Sequence, residues 1–399
     1  MSSCRVTNLA TVTPELVEMT ELVEALSLDG AVAQLGSGGA ATTSLRWADG
    51  SPQPVAAGST WPTSAPAGVL DAVASPADSA PCSGAEFVRA RFAGSAIDRK
   101  GMAVNPCRED PRWWNVERRM TRAMSEAMML GERAARDVLD TAGLEPDDIG
   151  LFATLTTTTH AMPGLERVAG LLGMTDRVER LNLGPMGCYA AVPGLAACRS
   201  WVEHRQQPAL LVVVDVFSPH LAPPPYGQEE AVVLSLFGDG AAAVILRPGE
   251  PGQRGYDVID VEMITCPEHA EDLCVDLRDH GIHITLTGRM PHVVASGVSR
   301  PVARLLERNG LSRGDVDWWA LHPGGRRVID RVAETLDLPD DCVDVSREVL
   351  RTRGNTAGPA VLFVLEQMDD TMPLGPGEHG VMMAFGPGAT VWTMLLRGA

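Results

Sequence analysis

Long apolar runs are missing. No stretch approaches the roughly eighteen consecutive apolar residues that a membrane-spanning helix needs, so a span is excluded. The opening residues, MSSCRVTNLATVTPE, lack the basic-then-apolar layout of a secretory leader. Positive charge is also scarce: 33 Lys and Arg stand against 51 Asp and Glu, a formal charge of −18, and no long basic stretch offsets it. A phosphate backbone requires a basic footprint, so no nucleic-acid partner is expected. Acidic substrates stay admissible wherever a local basic rim steers them. The eight cysteines show neither CxxC nor any regular ligand spacing. That argues against a disulfide framework and against a metal site, and it places the chain in a reducing cytoplasm.

What is present is the composition of a folded enzyme, 45% hydrophobic and 21% charged over 399 residues. That length allows two domains or one duplicated unit. Segment 36–85, crowded with Gly, Ser, Thr, Ala and Pro, has little to pack and reads as an exposed loop or arm.

The rest of the chain repeats a plan. A helix predicted from Thr121 to Thr141 is followed by Gly143-Leu144, an acidic residue, a short apolar strand and a polar loop. A helix predicted from Val302 to Arg308 is followed by Gly310-Leu311 and the same succession. Glycine suits the left-handed position just past a helix, and the apolar run reads as a buried strand. Later in each half a glycine turn recurs, Phe237-Gly-Asp-Gly in one and Phe385-Gly-Pro-Gly in the other. Two landmarks in the same order indicate a duplication. Apolar runs such as 209–216 and 241–246 fit strands covered on both faces, hence a layered α/β protein.

Three residues in glycine-rich settings are candidates for chemistry. Cys188 follows a predicted strand over 178–183 and a tight turn, Gly184 to Gly187, and it opens an apolar helix. Unsatisfied N–H groups at such a helix start favour thiolate over thiol. His322 ends an apolar run and precedes Pro323-Gly324-Gly325, which suits a proton acceptor or an oxygen-binding donor projecting into a cleft. Asn355, between Gly354 and Thr356, offers amide N–H donors without adding a competing base. Each has an ordinary alternative: a buried inert thiol, a surface-loop histidine, a helix cap. Their spacing alone fits a hydrolase as well as a condensing enzyme.

Longer motifs around these residues resemble the type III polyketide synthases, the chalcone-synthase-like branch of the thiolase superfamily. The matching segments are TTTHAMPG at 157–164, GPMGCYA at 184–190, SLFGDGAAA at 235–243, LHPGG at 321–325, RGNTAGPAVLFVLEQM at 353–368 and FGPGATV at 385–391. The likeness runs over about residues 90–397. It implies a duplicated five-layer αβαβα fold, with a divergent region over 1–89, a first half over 90–299 and a second over 300–399. It also implies a homodimer that uses no cofactor and takes an acyl-CoA starter and a malonyl-CoA-type extender, with an acyl carrier protein as a further possible donor.

On that resemblance Cys188 carries the acyl chain, paired with His322 as an activating ion pair. His322 and Asn355 hold the extender's thioester oxygen through decarboxylation. Phe237 resembles a gatekeeper between access tunnel and cavity. Thr157 and Thr158 resemble cavity-lining positions, and Met162 a residue that reaches across the dimer. Gly386, Pro387 and Gly388 match the backbone loop beside the cysteine. Arg99 and Lys100 resemble the basic region that receives coenzyme A phosphates. Val275 falls at a cavity-floor position where plant enzymes often carry glycine, which implies a smaller cavity. Two other readings are a single-round ketoacyl-carrier-protein synthase and a catalytically silent dimeric homologue. A hydrolase is disfavoured by the lack of a GxSxG elbow.

Overall fold

The computed structural model describes residues 3–27, 84–224, 226–279 and 281–399. The loop expected over 36–85 lies outside these residues except for its last two, which begin a helix. Numbered along the chain, the first strands are β1 (Cys4–Val12), β2 (Leu16–Glu18), β3 (Arg99–Gly101), β4 (Leu151–Leu155), β5 (Glu179–Leu183), β6 (Ala209–Asp215) and β7 (Gly240–Pro248). Then come β8 (Tyr256–Thr265), β9 (Leu273–Arg278), β10 (Gly281–Leu286), β11 (Trp318–Leu321), β12 (His379–Gly386) and β13 (Thr390–Gly398). The helices begin with α1 (Met19–Ser27), α2 (Gly84–Ala93), α3 (Val116–Ala142), α4 (Val168–Leu171) and α5 (Ala191–Arg205). They continue with α6 (Gln228–Leu236), α7 (Met290–Arg308), α8 (Arg326–Leu336), α9 (Asp344–Arg353) and α10 (Ala360–Thr371).

Nine strands join in the order β11-β12-β13-β8-β1-β7-β6-β4-β5. Read outward from the β1–β8 junction, β1, β7, β6 and β4 on one side match β8, β13, β12 and β11 on the other. The pairings agree: antiparallel β1–β7 and β6–β7 answer to antiparallel β8–β13 and β12–β13, and parallel β4–β6 answers to parallel β11–β12. The junction is narrow, two residue pairs, Arg5↔Asp257 and Val6↔Tyr256. The buried ion pair between Arg5 and Asp257, at 2.9 Å, closes it.

Alternation along the strands builds the layers. In β6, Ala209, Leu211 and Val213 face a cluster shared with α5 and α10, while Leu210, Val212 and Val214 face α3. In β12, Met382 and Ala384 point to the same middle cluster, and Val381 and Met383 point outward to α7 and α8. A strand apolar on both faces needs cover on both. The result is α3, one half-sheet, α5 with α10, the other half-sheet, then α7 with α8: the duplicated αβαβα arrangement.

Three expectations change. Residues 4–12 do not belong to a region apart from the two halves, because β1 lies at the centre of the sheet between β7 and β8. The helix predicted from Val302 starts at Met290; Gly297 and Pro301, poor helix formers, hide its first turns from a sequence reading. A division at 299/300 therefore falls inside α7, and the second half already begins with β8. The helix predicted over 121–141 extends to Val116–Ala142, capped by the Asn115 side chain and by Gly143 at φ 64°. No helix among the described residues is long and apolar enough to cross a membrane.

Candidate active site

The middle layer supplies the site. Helices α5 and α10 occupy corresponding places in the two halves, and each is preceded by a glycine at φ +72°, Gly187 and Gly354. Only glycine takes that conformation without strain. A Cβ on Gly187 would also sit 2.5 Å from the Pro387 ring, and one on Gly354 would sit 2.9 Å from Lys100 Cβ. The residue after each glycine is a candidate: Cys188 in the first half, Asn355 in the second.

Cys188 lies in a 3-10 turn, Gly187–Tyr189, just before α5. The turn is held from two sides. Gly187 N–H donates to Thr157 Oγ1 at 2.9 Å, and the Gly386-Pro387-Gly388 loop packs on it so closely that a Cβ on Gly386 would lie 3.2 Å from Cys188 N. Asn355 is fixed by a two-way backbone bridge to the end of α6: its N–H donates to Leu236 O at 2.9 Å, and its carbonyl accepts from Gly238 N–H at 3.0 Å. Its side-chain Oδ1 accepts from Ala357 N–H at 2.9 Å. That engagement leaves Nδ2 as the group turned to Cys188, which the Asn355 side chain hydrogen-bonds. His322 follows β11, with its N–H on Met383 O at 2.9 Å and its ring edge-on to Phe385 at 5.5 Å. It is buried, and among the described residues its Nδ1 has no hydrogen-bond partner. A buried polar atom without a partner is costly unless a ligand completes it.

Burial governs the electrostatics. Desolvation, with Asp215 adding to it, pushes the Cys188 thiol up to about 12; the Asn355 hydrogen bond and the residue's own N–H pull the other way. Desolvation holds the His322 imidazole down at about 3. The thiolate expected from the helix start is thus outweighed by removal from water.

Asp215 was not among the sequence candidates. Buried at the end of β6, it accepts Thr157 N–H at 2.7 Å and Gly358 N–H at 2.8 Å, tying the loop after β4 to the loop that carries Asn355. Burial raises its carboxyl to about 7 against those hydrogen bonds. Its one signal in sequence is an acid closing the run ALLVVVD. Phe217 was missed too, and its ring packs 4.8 Å from that of Phe237.

The other expected residues divide. Thr157, Val275 and Pro387 line a cavity of about 430 Å³ with Met186, Tyr189 and Ile282. Phe237 and Phe217 border a separate recess of about 40 Å³. Thr158 does not line the 430 Å³ cavity; its Oγ1 accepts Val216 N–H at 2.8 Å inside the protein. Met162 is 98% exposed, away from the cavity. Arg99 is partly exposed on β3, but Lys100 is fully buried, its Nζ donating to Leu234 O and Phe237 O. A lysine spent on backbone carbonyls in the core is not available to phosphates at a tunnel mouth.

Comparison with known proteins agrees with this architecture. The N-terminal domain of chalcone and stilbene synthases matches residues 103–250, and their C-terminal domain matches 261–399. The chain therefore belongs to the chalcone and stilbene synthase family, the type III polyketide synthases of the thiolase superfamily. It is 31% identical over 321 residues to a 3,5-dihydroxyphenylacetyl-CoA synthase of Streptomyces toyocaensis, covering 78% of this chain and 82% of that one. It is 32% identical over 279 residues to a 1,3,6,8-tetrahydroxynaphthalene synthase of Streptomyces peucetius subsp. caesius, covering 69% and 74%. In fold it resembles PKS-I from the brown alga Ectocarpus siliculosus, with a TM-score of 0.82 at 21% identity over 100% of this chain and 99% of that one. The protein is a condensing enzyme of the polyketide synthase type, performing Claisen condensation on coenzyme A thioesters.

Proposed function

We propose that Cys188 carries the starter and the growing chain through iterative decarboxylative condensation, with His322 and Asn355 as the oxygen-binding donors. The observation that carries this reading is the Asn355 side chain on the buried Cys188 thiol, with His322 supplying a buried imidazole whose Nδ1 has no partner among the described residues. Cys188 Sγ adds to the carbonyl carbon of an acyl-CoA starter while its proton passes to the His322 imidazole. The adduct expels the coenzyme A sulfur, which takes that proton as it leaves. Because burial disfavours both charged forms beforehand, proton transfer accompanies attack instead of preceding it.

A malonyl-type extender then loses carbon dioxide. The electron pair of the broken C–C bond moves onto the thioester oxygen as an enolate, held by His322 and Asn355. Charge grows at that oxygen only as the reaction proceeds, so fixed donors aimed at it lower the barrier. The enolate carbon attacks the Cys188 thioester, and the sulfur leaves. The extended chain returns to cysteine for another cycle, or closes on itself. Two relatives named for hydroxylated aromatic products support ring closure. Arg99 is the remaining candidate from the basic pair for coenzyme A phosphates. A homodimer is supported by exposed Met162 and by the groove near it lined by Met120, Met124, Met128 and Met129.

Intact-mass measurement after exposure to an acyl-CoA starter tests the central claim. Wild type and Cys198→Ala should gain the acyl mass and Cys188→Ala should not; acylation that survives the loss of Cys188 sinks the reading. Malonyl-CoA with a panel of starters should give multi-ketide products. A product that stops after one extension, or strict dependence on a carrier protein, would reject iteration on coenzyme A substrates.

A further inference from the structure

Lys100 is a fully buried cation outside the reacting centre, and nothing in the chemistry above uses it. It sits on β3, where Lys100 pairs with Val17 of β2, and its stem runs into the core against two glycines. A Cβ on Gly354 would lie 2.9 Å from Lys100 Cβ, and one on Gly238 would lie 3.1 Å from it. Both neighbours must therefore lack a side chain for the lysine to pass. Its head meets the carboxyl end of α6, where backbone carbonyls have no partner within the helix. Nζ donates to Leu234 O and, at 2.7 Å, to Phe237 O. The carbonyl between them in the same turn, Leu236 O, accepts the N–H of Asn355. Lys100 and Asn355 thus share one helix cap, interleaved over Leu234, Leu236 and Phe237.

We infer that Lys100 is a positioning residue for decarboxylation: by capping α6 it fixes the bridge that aims the Asn355 amide and, in the same turn, the Phe237 ring. The cap also places a cation where the helix dipole favours one. Burial holds the ammonium down at about 7, with Asp239 pulling it up. An uncharged amine still offers two N–H groups to two carbonyls, so the clamp does not depend on the charge. Removing the head would leave Leu234 O and Phe237 O without donors and free the α6 end to shift. Asn355 is bonded to that end through both its N–H and its carbonyl, so it shifts as well. The backbone turn of Cys188 is held by different groups, Thr157 and the Gly386 loop, so it keeps its place and loses at most the Asn355 hydrogen bond to its sulfur.

The inference rests on the role assigned to Asn355 above, and the test separates the two. Two rates are compared in full-length Lys100→Met: starter acylation of Cys188 followed by intact mass, and carbon dioxide release from malonyl-CoA. Methionine keeps most of the apolar stem and loses the donors. Decarboxylation should fall about 10- to 100-fold, the scale of a small misplacement of a reacting group, while acylation stays within about twofold. Equal losses in both rates, or no loss in either, overturn the inference. Should the Met protein fail to fold, Lys100→Gln, which keeps one donor on a shorter stem, carries the same ratio test, and an unchanged ratio again overturns it. If wild type neither acylates at Cys188 nor releases carbon dioxide, the proposed function fails instead.

Discussion

The turn before α5 and the turn before α10 are the same structural device used twice. Each follows a glycine at φ +72°, each opens a helix of the middle layer, and each is tethered to Asp215, one through Thr157 and the other through Gly358. They differ in the residue displayed, a thiol in the first half and an amide in the second. The loops after β4 and β11 differ likewise: the first carries Thr157, which braces the cysteine turn, and the second carries His322. Duplication supplies a geometry that points two helix starts at one spot. On the proposed function, divergence of single residues splits the labour, a nucleophile from one half and oxygen-binding donors from the other.

If the labour is divided in this way, the two half-reactions separate by mutation. The largest effect is expected in Asn355→Ala, where carbon dioxide release from malonyl-CoA should fall about 10²–10³-fold, the usual consequence of losing one oxyanion donor. Acylation of Cys188 in the same protein should stay near wild type when followed by intact mass. A matched loss of acylation would show that the amide serves the cysteine and not the enolate.

The glycines test the shared device itself. Gly187→Ala and Gly354→Ala each force a left-handed backbone on alanine, a strain of about 1–3 kcal/mol, and each drives a Cβ into a fixed neighbour. Both should lower the midpoint of thermal or urea unfolding. In the surviving folded protein the first should depress acylation and the second decarboxylation. An identical kinetic pattern for both would erase the distinction between the turns.

A smaller effect is expected from pH. His322 ionises at about 3 in the fold against 6.5 when unperturbed, so between those values the unfolded chain binds a proton that the native protein refuses. Stability is therefore full above pH 6.5 and falls as pH drops through that window, by about 1.4 kcal/mol per pH unit. Buried His220, held down at about 4, contributes with the same sign. Urea unfolding from pH 7 to 5 should show wild type losing more stability than His322→Gln, with the remaining slope due to His220 and other groups. Parallel slopes would mean that His322 is not held neutral.

The duplication was readable because its marks are local. A glycine past a helix, a short apolar strand and a glycine turn recur in order, and the Cys188, His322 and Asn355 motifs lie on those marks. What escaped depends on partners distant in the chain. Residues 4–12 read as part of a divergent region because their ladder partners are residues 241–248 and 256–257. Lys100 beside Arg99 reads as part of a basic region for coenzyme A phosphates, and only the carbonyls at the end of α6, more than a hundred residues on, make its burial tolerable. Asp215 reads as a strand terminus until the two loops it ties are folded onto it. The extent of α7 was concealed by a proline that the helix accommodates.

The cavity gives the finest test of the comparison, since it belongs to neither turn alone. Val275 on β9 faces the 430 Å³ space together with Thr157 from the first half and Pro387 from the second. It pairs with Ile284 across the β9–β10 hairpin, which leaves the turns before α5 and α10 untouched. Val275→Gly should therefore leave acylation and decarboxylation close to wild type while enlarging that space, which on the proposed function would take up the growing chain. Glycine weakens a strand by roughly 1 kcal/mol, a modest cost in so large a protein. With a fixed starter and malonyl-CoA, mass spectrometry should show products shifted by one or more additional extension units. An unchanged product at unchanged rate would place the limit on chain length elsewhere along the cavity wall, with Ile282 and Met186 the next side chains to shorten.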